Sequence, residues 1–351
     1  MSRTILIMAG GTGGHIFPAL AVADALKAQG FDVIWLGTRQ GMEAKLVPAK
    51  GYEIEYVKMS GVRKSGLGRW LMLPFTLTVA CLQGIALMLR RRPDVVLGMG
   101  GFAAFPGGLA AALLGRPLVI HEQNAVAGLT NRVLSKLAKR TLVAFPGVLK
   151  GGEFVGNPVR SEISGLPSDR FENRTGRLKL LVMGGSRGAR AINACVPAAV
   201  AKLPEASRPE VRHQTGESDL DSVRRAYREQ GCSAEVMPFI SDMAEAYSAC
   251  DLVISRSGAL TVAEIAAAGL PAMLVPYPHA VDDHQRHNAR YLAEGGAAWL
   301  IPQEAFDPDA VAALLGSLDR GMLRKMGEKA RELAKTDATG KVAEICMEMA
   351  A

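Results

Sequence analysis

The feature that most constrains the fold of this chain is a pattern found once in each half: an apolar strand, a glycine-rich loop and a helical stretch. In the first half, Thr4–Met8 is the predicted strand and Gly10–Gly14 the loop. In the second half, Leu178–Met183 and Gly184–Gly188 repeat the order. Strands that alternate with helices are typical of parallel sheets covered by helices. We therefore predict an α/β fold with two Rossmann-like domains.

Further short apolar runs continue this alternation along the chain. The predicted strands are Val33–Leu36, Tyr52–Met59, Val95–Gly98, Leu118–His121 and Leu142–Ala144, then Val211–Gln214, Glu235–Met237, Leu252–Ser255, Met273–Val275 and Ala298–Ile301. A polar, turn-rich linker to Arg177 follows Asn157–Arg160, where we place the boundary. The predicted domains are residues 1–160 and 161–337, with a C-terminal helix of about 338–351 that packs back onto the first.

Composition narrows the function classes. The net charge of +7 favours anionic partners such as phosphorylated substrates or an acidic membrane surface. We expect no nucleic-acid partner, because no Lys/Arg-rich tail or aromatic-interleaved basic patch is present. Five scattered cysteines without a C-x-x-C pair predict free thiols rather than disulfides or a zinc site. The apolar run near the N-terminus is too short for a signal peptide.

A long uncharged segment, Trp70–Leu89, separates two predicted strands of the first half. Its length is that of a membrane-spanning helix. However, Pro74 and Gln83 dilute it, and its place between strands is where a crossover helix belongs. We predict a buried or membrane-contacting crossover helix, with a membrane span as the alternative.

The first glycine loop is a candidate anion site. Glycines let the backbone approach a ligand, and the following helix start presents free N–H groups. The alternative is a tight turn without a ligand. The loop does not match G-x-G-x-x-G, and no acid ends Val33–Leu36, which counts against a dinucleotide fold. His15, at the end of the loop, is a candidate general base, the alternative being a residue that only binds phosphate or caps the helix.

The most informative stretch is Ser255–Pro271, which combines a strand end, a glycine turn and a helix. Such a helix start suits a diphosphate, and Glu264, about one turn in, could accept hydrogen bonds from ribose hydroxyls. The alternative for Glu264 is a solvent-facing helix acid. In the other loop of this half, Ser186 and Arg187 could add a hydroxyl and a charge to an anion site, or Arg187 could simply be solvated.

We expect no metal site. The cluster from His279 to His287 contains three histidines and two aspartates, but its spacing matches no zinc-binding helix. Two D-x-D strings, Asp219–Asp221 and Asp307–Asp309, lie in a charged helical stretch and in a proline turn, and we interpret both as chance.

Seven motifs, in order along the chain, resemble the MurG family of bacterial UDP-N-acetylglucosamine transferases that act on undecaprenyl-diphospho-muramoyl-pentapeptide. They are Gly10–His15, Gly98–Phe102, His121–Asn124, Gly156–Arg160, Gly184–Arg190, Ser255–Pro271 and His284–Ala289. The resemblance implies a GT-B fold, with two Rossmann-like domains facing across a cleft, and an inverting, β-1,4-forming transfer in peptidoglycan synthesis. It also implies donor binding mainly by the second domain, acceptor binding by the first, and no cofactor or metal.

The resemblance assigns roles residue by residue. The expected donor residues are Arg160 and Ser186 for the diphosphate, Ile240 for the uracil through its backbone, Ala259, Leu260, Thr261, Val262 and Ala263 for the phosphate-binding helix start, Glu264 for the ribose, and Gln285 and Asn288 for the sugar hydroxyls. The expected acceptor-side residues are Thr12, Gly13, Gly14, Gly100, Gly101 and Asn124, with His15 as the base. Thr12, Gly13, Gly14 and Asn124 are also expected to reach the UDP-sugar. The chain has His284-Gln285 where the family has a glutamine pair, and we assign His284 no role.

A lipid-linked acceptor implies peripheral attachment to the cytoplasmic face of the bacterial inner membrane. The residues expected to contact its anionic leaflet are Arg69, Trp70, Leu73, Phe75 and Leu77, with further charge from Arg63, Lys64 and Arg90–Arg92. Three other functions are compatible with parts of the sequence: a UDP-sugar epimerase, a nicotinamide- or flavin-dependent enzyme, and a non-catalytic lipid-binding scaffold. The uncharged segment with its flanking arginines disfavours the first, and the imperfect glycine loop disfavours the second.

Overall fold

The computed structural model describes residues 3–59, 67–167, 174–184 and 189–351, and for residues 67–71 it describes the backbone alone. The chain divides into two compact units. One contains residues 1–160 and 335–351, and the other contains residues 161–334. All five cysteines are free thiols, as predicted.

The first unit is built on a parallel sheet. Its described strands are β1 (Thr4–Met8), β2 (Asp32–Gly37), β3 (Glu53–Tyr56), β4 (Val95–Gly98), β5 (Leu118–Glu122), β6 (Arg140–Val143) and β7 (Glu153–Phe154). They pair in the order β3-β2-β1-β4-β5-β6-β7, parallel throughout. The short strand β7 was not predicted, and β6 begins two residues earlier than the predicted strand Leu142–Ala144.

Helices cover both faces of this sheet. They are α1 (Gly13–Ala28), α2 (Glu43–Ala49), α3 (Leu67–Arg91), α4 (Ala104–Leu113) and α5 (Leu129–Leu134). Because side chains alternate along a strand, Ile5 and Ile7 of β1 join the core beneath α1, whereas Leu6 and Met8 join the core beneath α3 and α4. The predicted crossover helix between β3 and β4 is confirmed as α3.

The second unit repeats the arrangement. Its described strands are β8 (Lys179–Met183), β9 (Glu210–Gln214), β10 (Ala234–Met237), β11 (Leu252–Ser255), β12 (Ala272–Leu274) and β13 (Ala298–Leu300). They pair in parallel in the order β10-β9-β8-β11-β12-β13, which matches the first six strands of the other sheet. The prediction of two Rossmann-like parallel sheets is therefore confirmed.

The helices of the second unit are α6 (Ser161–Ser164), α7 (Arg190–Lys202), α8 (Leu220–Glu229), α9 (Met243–Ala249), α10 (Ala259–Ala267), α11 (His284–Glu294), α12 (Pro308–Gly316) and α13 (Arg320–Leu333). The predicted linker is not a free connection, because α6 packs against α9 and α10. Arg331 also donates a hydrogen bond to the carbonyl of Leu166 at 2.9 Å. The start of this segment is therefore part of the second unit.

The C-terminal helix α14 (Ala338–Met349) lies in the first unit. Val342, Ala343 and Cys346 are buried in the core beneath α1. The Thr339 hydroxyl donates to the carbonyl of Val159 at 3.0 Å. An apolar stripe on α14 thus completes a core that the first 160 residues leave open.

Each sheet has one point where the chain changes its direction of winding. That point lies between β1 and β4 in the first unit and between β8 and β11 in the second. Ligands of doubly wound sheets bind outside the carboxyl ends of the strands at such a switch point. The loops that follow these four strands contain four of the seven sequence motifs and define the two candidate sites.

Candidate functional site

In the first unit, the loop after β1 leads directly into the N-terminus of α1. Thr12 is the N-cap, in extended conformation, and the N–H groups of His15 and Ile16 donate to its carbonyl at 3.1 and 3.2 Å. The amides of Gly13 and Gly14 stand at the positive end of the helix dipole, where a helix offers them no internal partner. This helix start has the chemistry of an anion site.

A buried carboxylate holds this loop in place. Glu43, at the start of α2, is fully buried and accepts hydrogen bonds from the amide of Gly11 at 3.1 Å and from the amide and hydroxyl of Thr38 at 3.0 and 2.9 Å. We did not predict this role from the sequence. The only hint is an acid at a helix start, which by itself is an ordinary cap.

The loop after β4 lies against the loop after β1. Gly101 has a φ of +83°, and a Cβ atom there would lie 2.3 Å from the carbonyl oxygen of Gly10. Only glycine permits this approach, because both the backbone conformation and the space exclude a side chain. The predicted residues Gly13, Gly14, His15, Gly100 and Gly101 are therefore brought together.

His15 is half-buried, and its Nδ1 lies 3.2 Å from Oε1 of Gln123, which follows β5. The Glu122 carboxylate holds the rest of the loop after β5. It accepts hydrogen bonds from the amides of Asn124 and Gly128 and from the side chain of Asn131. Asn124 is thus connected to the His15 site through Gln123. Glu122, Gln123 and Asn131 had no predicted role of their own.

His121, the other histidine of this motif, is not available as a base. It is fully buried, and its Nε2 lies 2.9 Å from the carbonyl oxygen of Gly156. Burial lowers the pKa of His121 to about 4, although the Gly156 carbonyl and the Glu122 charge act in the opposite direction. The imidazole is therefore neutral near pH 7 and joins two motifs of the first unit.

In the second unit, the turn after β11 leads into α10. Gly258 is an extended N-cap, and the first helical hydrogen bond runs from the amide of Val262 to the Gly258 carbonyl at 2.9 Å. The amides of Ala259, Leu260 and Thr261 precede it and have no partner within the helix. Among the described residues, no side chain caps either α10 or α1, so both helix starts keep the character of an anion site.

Glu264 lies on the following turn of α10 and is buried, with 5% of its surface exposed. The hydroxyl of Tyr247 donates to its Oε2 at 3.2 Å. The alternative of a solvent-facing helix acid is therefore wrong. A carboxylate held in one orientation next to a helix start can accept hydrogen bonds from vicinal hydroxyls.

Helix α11 is fastened to the turn that precedes α10. The Ser257 hydroxyl donates to the Gln285 carbonyl at 2.8 Å, and Asn288 donates to the Ser257 carbonyl at 3.1 Å. The side-chain oxygen of Gln285 accepts from the amide of Tyr277 at 2.9 Å. The structure thus joins the predicted donor residues of α10 and α11 in one cluster. Asn288 is fully buried there.

Some predicted residues lie elsewhere or outside the described residues. Ile240 is buried in the segment after β10. Arg160 is the last residue of the main segment of the first unit. Ser186 and Arg187, Arg63 and Lys64, and the side chains of Arg69 and Trp70 lie outside the described residues.

Helix α3 has an exposed apolar side. Within the described residues, its stretch Met72–Arg91 is long and apolar enough to cross a membrane. Only 22% of the 18-residue apolar segment within this stretch is buried in the protein. Phe75 is 64% exposed, whereas Leu73 and Leu77 are half-buried. Leu113 is exposed at the end of α4, which packs against α3, and Leu129 is exposed on α5, which packs against α4.

Two of the arginines at the end of α3 form ion pairs with acidic residues. Arg90 lies 2.7 Å from Glu55, and Arg91 pairs with both Glu53 and Glu55. Partial burial raises the pKa of Glu55, but hydrogen bonds from Arg91 and Arg90 outweigh it and lower the pKa overall. The expectation that Arg90 and Arg91 offer charge to a membrane is weakened, because neighbouring acids already balance them.

The acidic and histidine-rich strings contain no metal cluster among the described residues, where no three His, Cys, Asp or Glu side chains come together as ligands. The His284 Nδ1 instead lies 2.7 Å from the Val281 carbonyl oxygen. Asp307 caps α12 by accepting hydrogen bonds from the amides of Asp309 and Ala310.

Comparison with known proteins covers the whole chain. Residues 5–143 match the glycosyltransferase family 28 N-terminal domain, and residues 179–344 match the C-terminal domain of that family. The UDP-N-acetylglucosamine--N-acetylmuramyl-(pentapeptide) pyrophosphoryl-undecaprenol N-acetylglucosamine transferase of Thiobacillus denitrificans is 54% identical, with 99% of each chain covered. The enzyme of that name from Dechloromonas aromatica is 53% identical, with 100% of each chain covered.

Solved structures show the same architecture. The crystal structure of Acinetobacter baumannii MurG matches with a TM-score of 0.87 and 41% identity, covering 99% of each chain. The glycosyltransferase of kitacinnamycin matches with a TM-score of 0.72 but only 18% identity, again over 99% of each chain, and shares the fold alone.

Proposed function

The chain belongs to the MurG family within glycosyltransferase family 28, and we propose that it transfers N-acetylglucosamine from UDP to N-acetylmuramyl-(pentapeptide) pyrophosphoryl-undecaprenol in peptidoglycan synthesis. Its two parallel Rossmann-like sheets are those of the GT-B glycosyltransferases, as predicted. The observation that carries the proposal is 54% identity to an enzyme of that name over 99% of both chains. The match covers both units and therefore the segments that form both candidate sites.

The second unit is the proposed donor site. The start of α10 offers the amides of Ala259–Thr261 to the diphosphate, and Glu264, already oriented by Tyr247, accepts the ribose hydroxyls. Ile240 takes the uracil through its backbone, and Gln285 and Asn288 read the sugar hydroxyls. Arg160 and Ser186 are proposed to bind the diphosphate as well, and Val262 and Ala263 complete the helix start.

The first unit is the proposed acceptor site, with His15 as general base. The amides of Gly13 and Gly14 face the acceptor, while Gly100, Gly101 and Asn124 form its surroundings. Thr12, the N-cap of α1, is exposed beside them and is proposed to contact the substrates directly. Thr12, Gly13, Gly14 and Asn124 also reach toward the UDP-sugar in this proposal.

The proposed reaction is a single in-line displacement with inversion. The acceptor hydroxyl loses its proton to His15 while its oxygen forms a bond to C1 of the sugar. The bond from C1 to the diphosphate oxygen breaks on the opposite face, and its electron pair leaves with UDP. The helix start of α10 stabilises the negative charge that grows on the leaving group.

The activity is tested by measuring UDP release from UDP-N-acetylglucosamine with and without a polyprenyl-diphosphate-linked acceptor. We expect UDP to form only with the acceptor, together with a disaccharide-linked product. A sugar product formed without any acceptor would indicate the epimerase alternative. Tight acceptor binding with no UDP release under either condition would indicate a non-catalytic lipid-binding scaffold.

We further propose that the protein attaches to the cytoplasmic face of the inner membrane through α3 and its neighbours. Phe75, Leu113 and Leu129 are exposed on three adjacent helices of the acceptor unit. Leu73 and Leu77, together with Arg69 and Trp70, complete the proposed contact. The net charge of +7 adds attraction to an anionic leaflet, which falls with ionic strength.

A further inference from the structure

A buried glutamine connects His15 to the backbone of the first unit. Gln123 is fully buried directly after β5. Its Nε2 donates to the carbonyl oxygen of Met99 at 2.7 Å, and its Oε1 lies 3.2 Å from Nδ1 of His15. The side chain therefore bridges the loop after β4 and the start of α1.

The orientation of the Gln123 amide follows from the chemistry of its partners. A carbonyl oxygen can only accept a hydrogen bond, so the amide nitrogen must face Met99. The reversed amide would place two acceptor oxygens 2.7 Å apart, without a proton between them. Oε1 must consequently face His15, and because Oε1 is also only an acceptor, Nδ1 of His15 must carry the hydrogen.

A neutral imidazole has one N–H group, so a proton on Nδ1 leaves the lone pair on Nε2. The backbone closes the Nδ1 edge of the ring from another side. Gly100 has a φ of +91°, and a Cβ atom there would lie 3.0 Å from Nδ1 of His15. The ring edge that carries Nδ1 is thus enclosed by Gln123 and Gly100.

We infer that Gln123 is a positioning residue that holds His15 in the Nδ1–H tautomer, so that Nε2 is the atom that accepts the proton of the acceptor hydroxyl. This inference rests on the proposed function of His15 as the base. When Nε2 has accepted that proton, the ring is an imidazolium, and its Nδ1–H still donates to Gln123. A base oriented by a third group is the general arrangement of nucleophile activation, here with a neutral amide as the third group.

The test is the tautomer of His15 in the full chain, measured by ¹⁵N NMR of protein labelled at its six histidines, at a pH where imidazoles are neutral. The His15→Gln variant identifies the signals of His15 by their loss. We expect a protonated Nδ1 and an unprotonated Nε2 in the wild-type protein. An Nε2–H tautomer in the wild type would overturn the inference, whatever the behaviour of any variant.

Gln123→Met removes the acceptor while keeping the length of the side chain. We expect the His15 signals to move toward the Nε2–H tautomer. If that tautomer then holds about nine tenths of the neutral form, kcat falls about 10-fold, because only the remaining fraction is competent. An unchanged tautomer and an unchanged kcat in folded Gln123→Met would contradict the inference.

Gln214→Met is the matched control, because Gln214 is also buried at the end of a strand and donates to a backbone carbonyl, that of Pro238, at 3.1 Å. It should lower the unfolding midpoint like Gln123→Met but leave the His15 signals in place. The base role is judged separately. If His15→Gln keeps full kcat while the wild type shows the Nδ1–H tautomer, the proposed function of His15 fails and the tautomer assignment stands.

Discussion

Six strands have the same order in the two units, but the proposed sites use helices on different sides of the switch point. In the first unit, the proposed reactive residue stands on α1, the helix after β1. In the second unit, the proposed donor-binding helix is α10, which follows β11, the counterpart of β4. Both helices begin at the switch point of their sheet, which has one helix on each side. The chain therefore repeats a fold without repeating a site.

Single residues account for this difference. His15 is the third residue of α1, whereas the third residue of the corresponding helix α7 is Ile192, which is fully buried. Glu264 is the sixth residue of α10, whereas the sixth residue of the corresponding helix α4 is Leu109. Each unit thus has two helices at its switch point, and one residue within the first two turns distinguishes the helix of the proposed site from its counterpart in the other unit.

The largest expected effect is that of His15→Ala, because it removes the group that distinguishes α1 from α7. We expect kcat to fall by roughly 10²-fold or more, as for the loss of a general base. UDP affinity should stay near normal, because His15 is not among the proposed donor residues, most of which belong to the other unit. Steady-state kinetics and calorimetry of the same preparation measure both quantities. A kcat close to that of the wild type would leave His15 with a structural role only.

Glu264→Ala tests the proposed donor site of the second unit. We expect UDP-N-acetylglucosamine binding to weaken by about 1–3 kcal/mol, because the variant leaves buried hydroxyl groups without their acceptor. Isothermal titration calorimetry measures the change. Glu294→Ala, on the exposed side of α11, is the matched control and should bind like the wild type.

Two outcomes would alter this interpretation. If Glu264→Ala binds UDP as tightly as the wild type, Glu264 does not belong to the donor site. If Tyr247→Phe has the full effect of Glu264→Ala while the carboxylate is still present, its orientation matters more than its charge.

How well each element could be predicted depends on how far apart in the sequence its interacting residues lie. The strands were predicted to within one or two residues in most cases, since each is a run of apolar residues bounded by turns. The exception is β7, which has two residues and exists only because it pairs with β6. The helix α6 has four residues, too few to show a helical period.

The site residues divide in the same way. Residues in contiguous motifs, such as Gly13 and Glu264, were predicted because their neighbours in sequence are also their neighbours in space. Glu43 and Gln123 were not assigned roles, because their partners lie far along the chain: Gly11 is 32 residues from Glu43, and His15 is 108 residues from Gln123. Local patterns contain no information about such pairs, and only the parallel sheet brings them together.

A matched pair of phenylalanines tests whether only the acceptor unit contacts the membrane. Phe75 in the first unit is 64% exposed, and Phe239 in the second is 65% exposed. We expect Phe75→Ser to reduce binding to anionic vesicles by about 1 kcal/mol, roughly fivefold, because an inserted aromatic side chain loses only part of its water contact. Phe239→Ser should have no effect. Co-sedimentation at low and high salt measures both variants, and equal losses in the two would disconnect membrane binding from α3.

The smallest expected effect is that of metal removal. In the proposed reaction, the charge on the departing diphosphate is stabilised by the amides at the start of α10 and by Arg160. These groups are part of the protein and cannot be chelated, so turnover in excess EDTA should equal turnover in its absence. The D-x-D aspartates support the same expectation, since Asp219 accepts a hydrogen bond from Asn193 and Asp307 caps α12. If EDTA abolishes turnover and Mg²⁺ or Mn²⁺ restores it, the helix start of α10 is not sufficient for the leaving group. The donor unit would then differ from the acceptor unit by a bound cation as well.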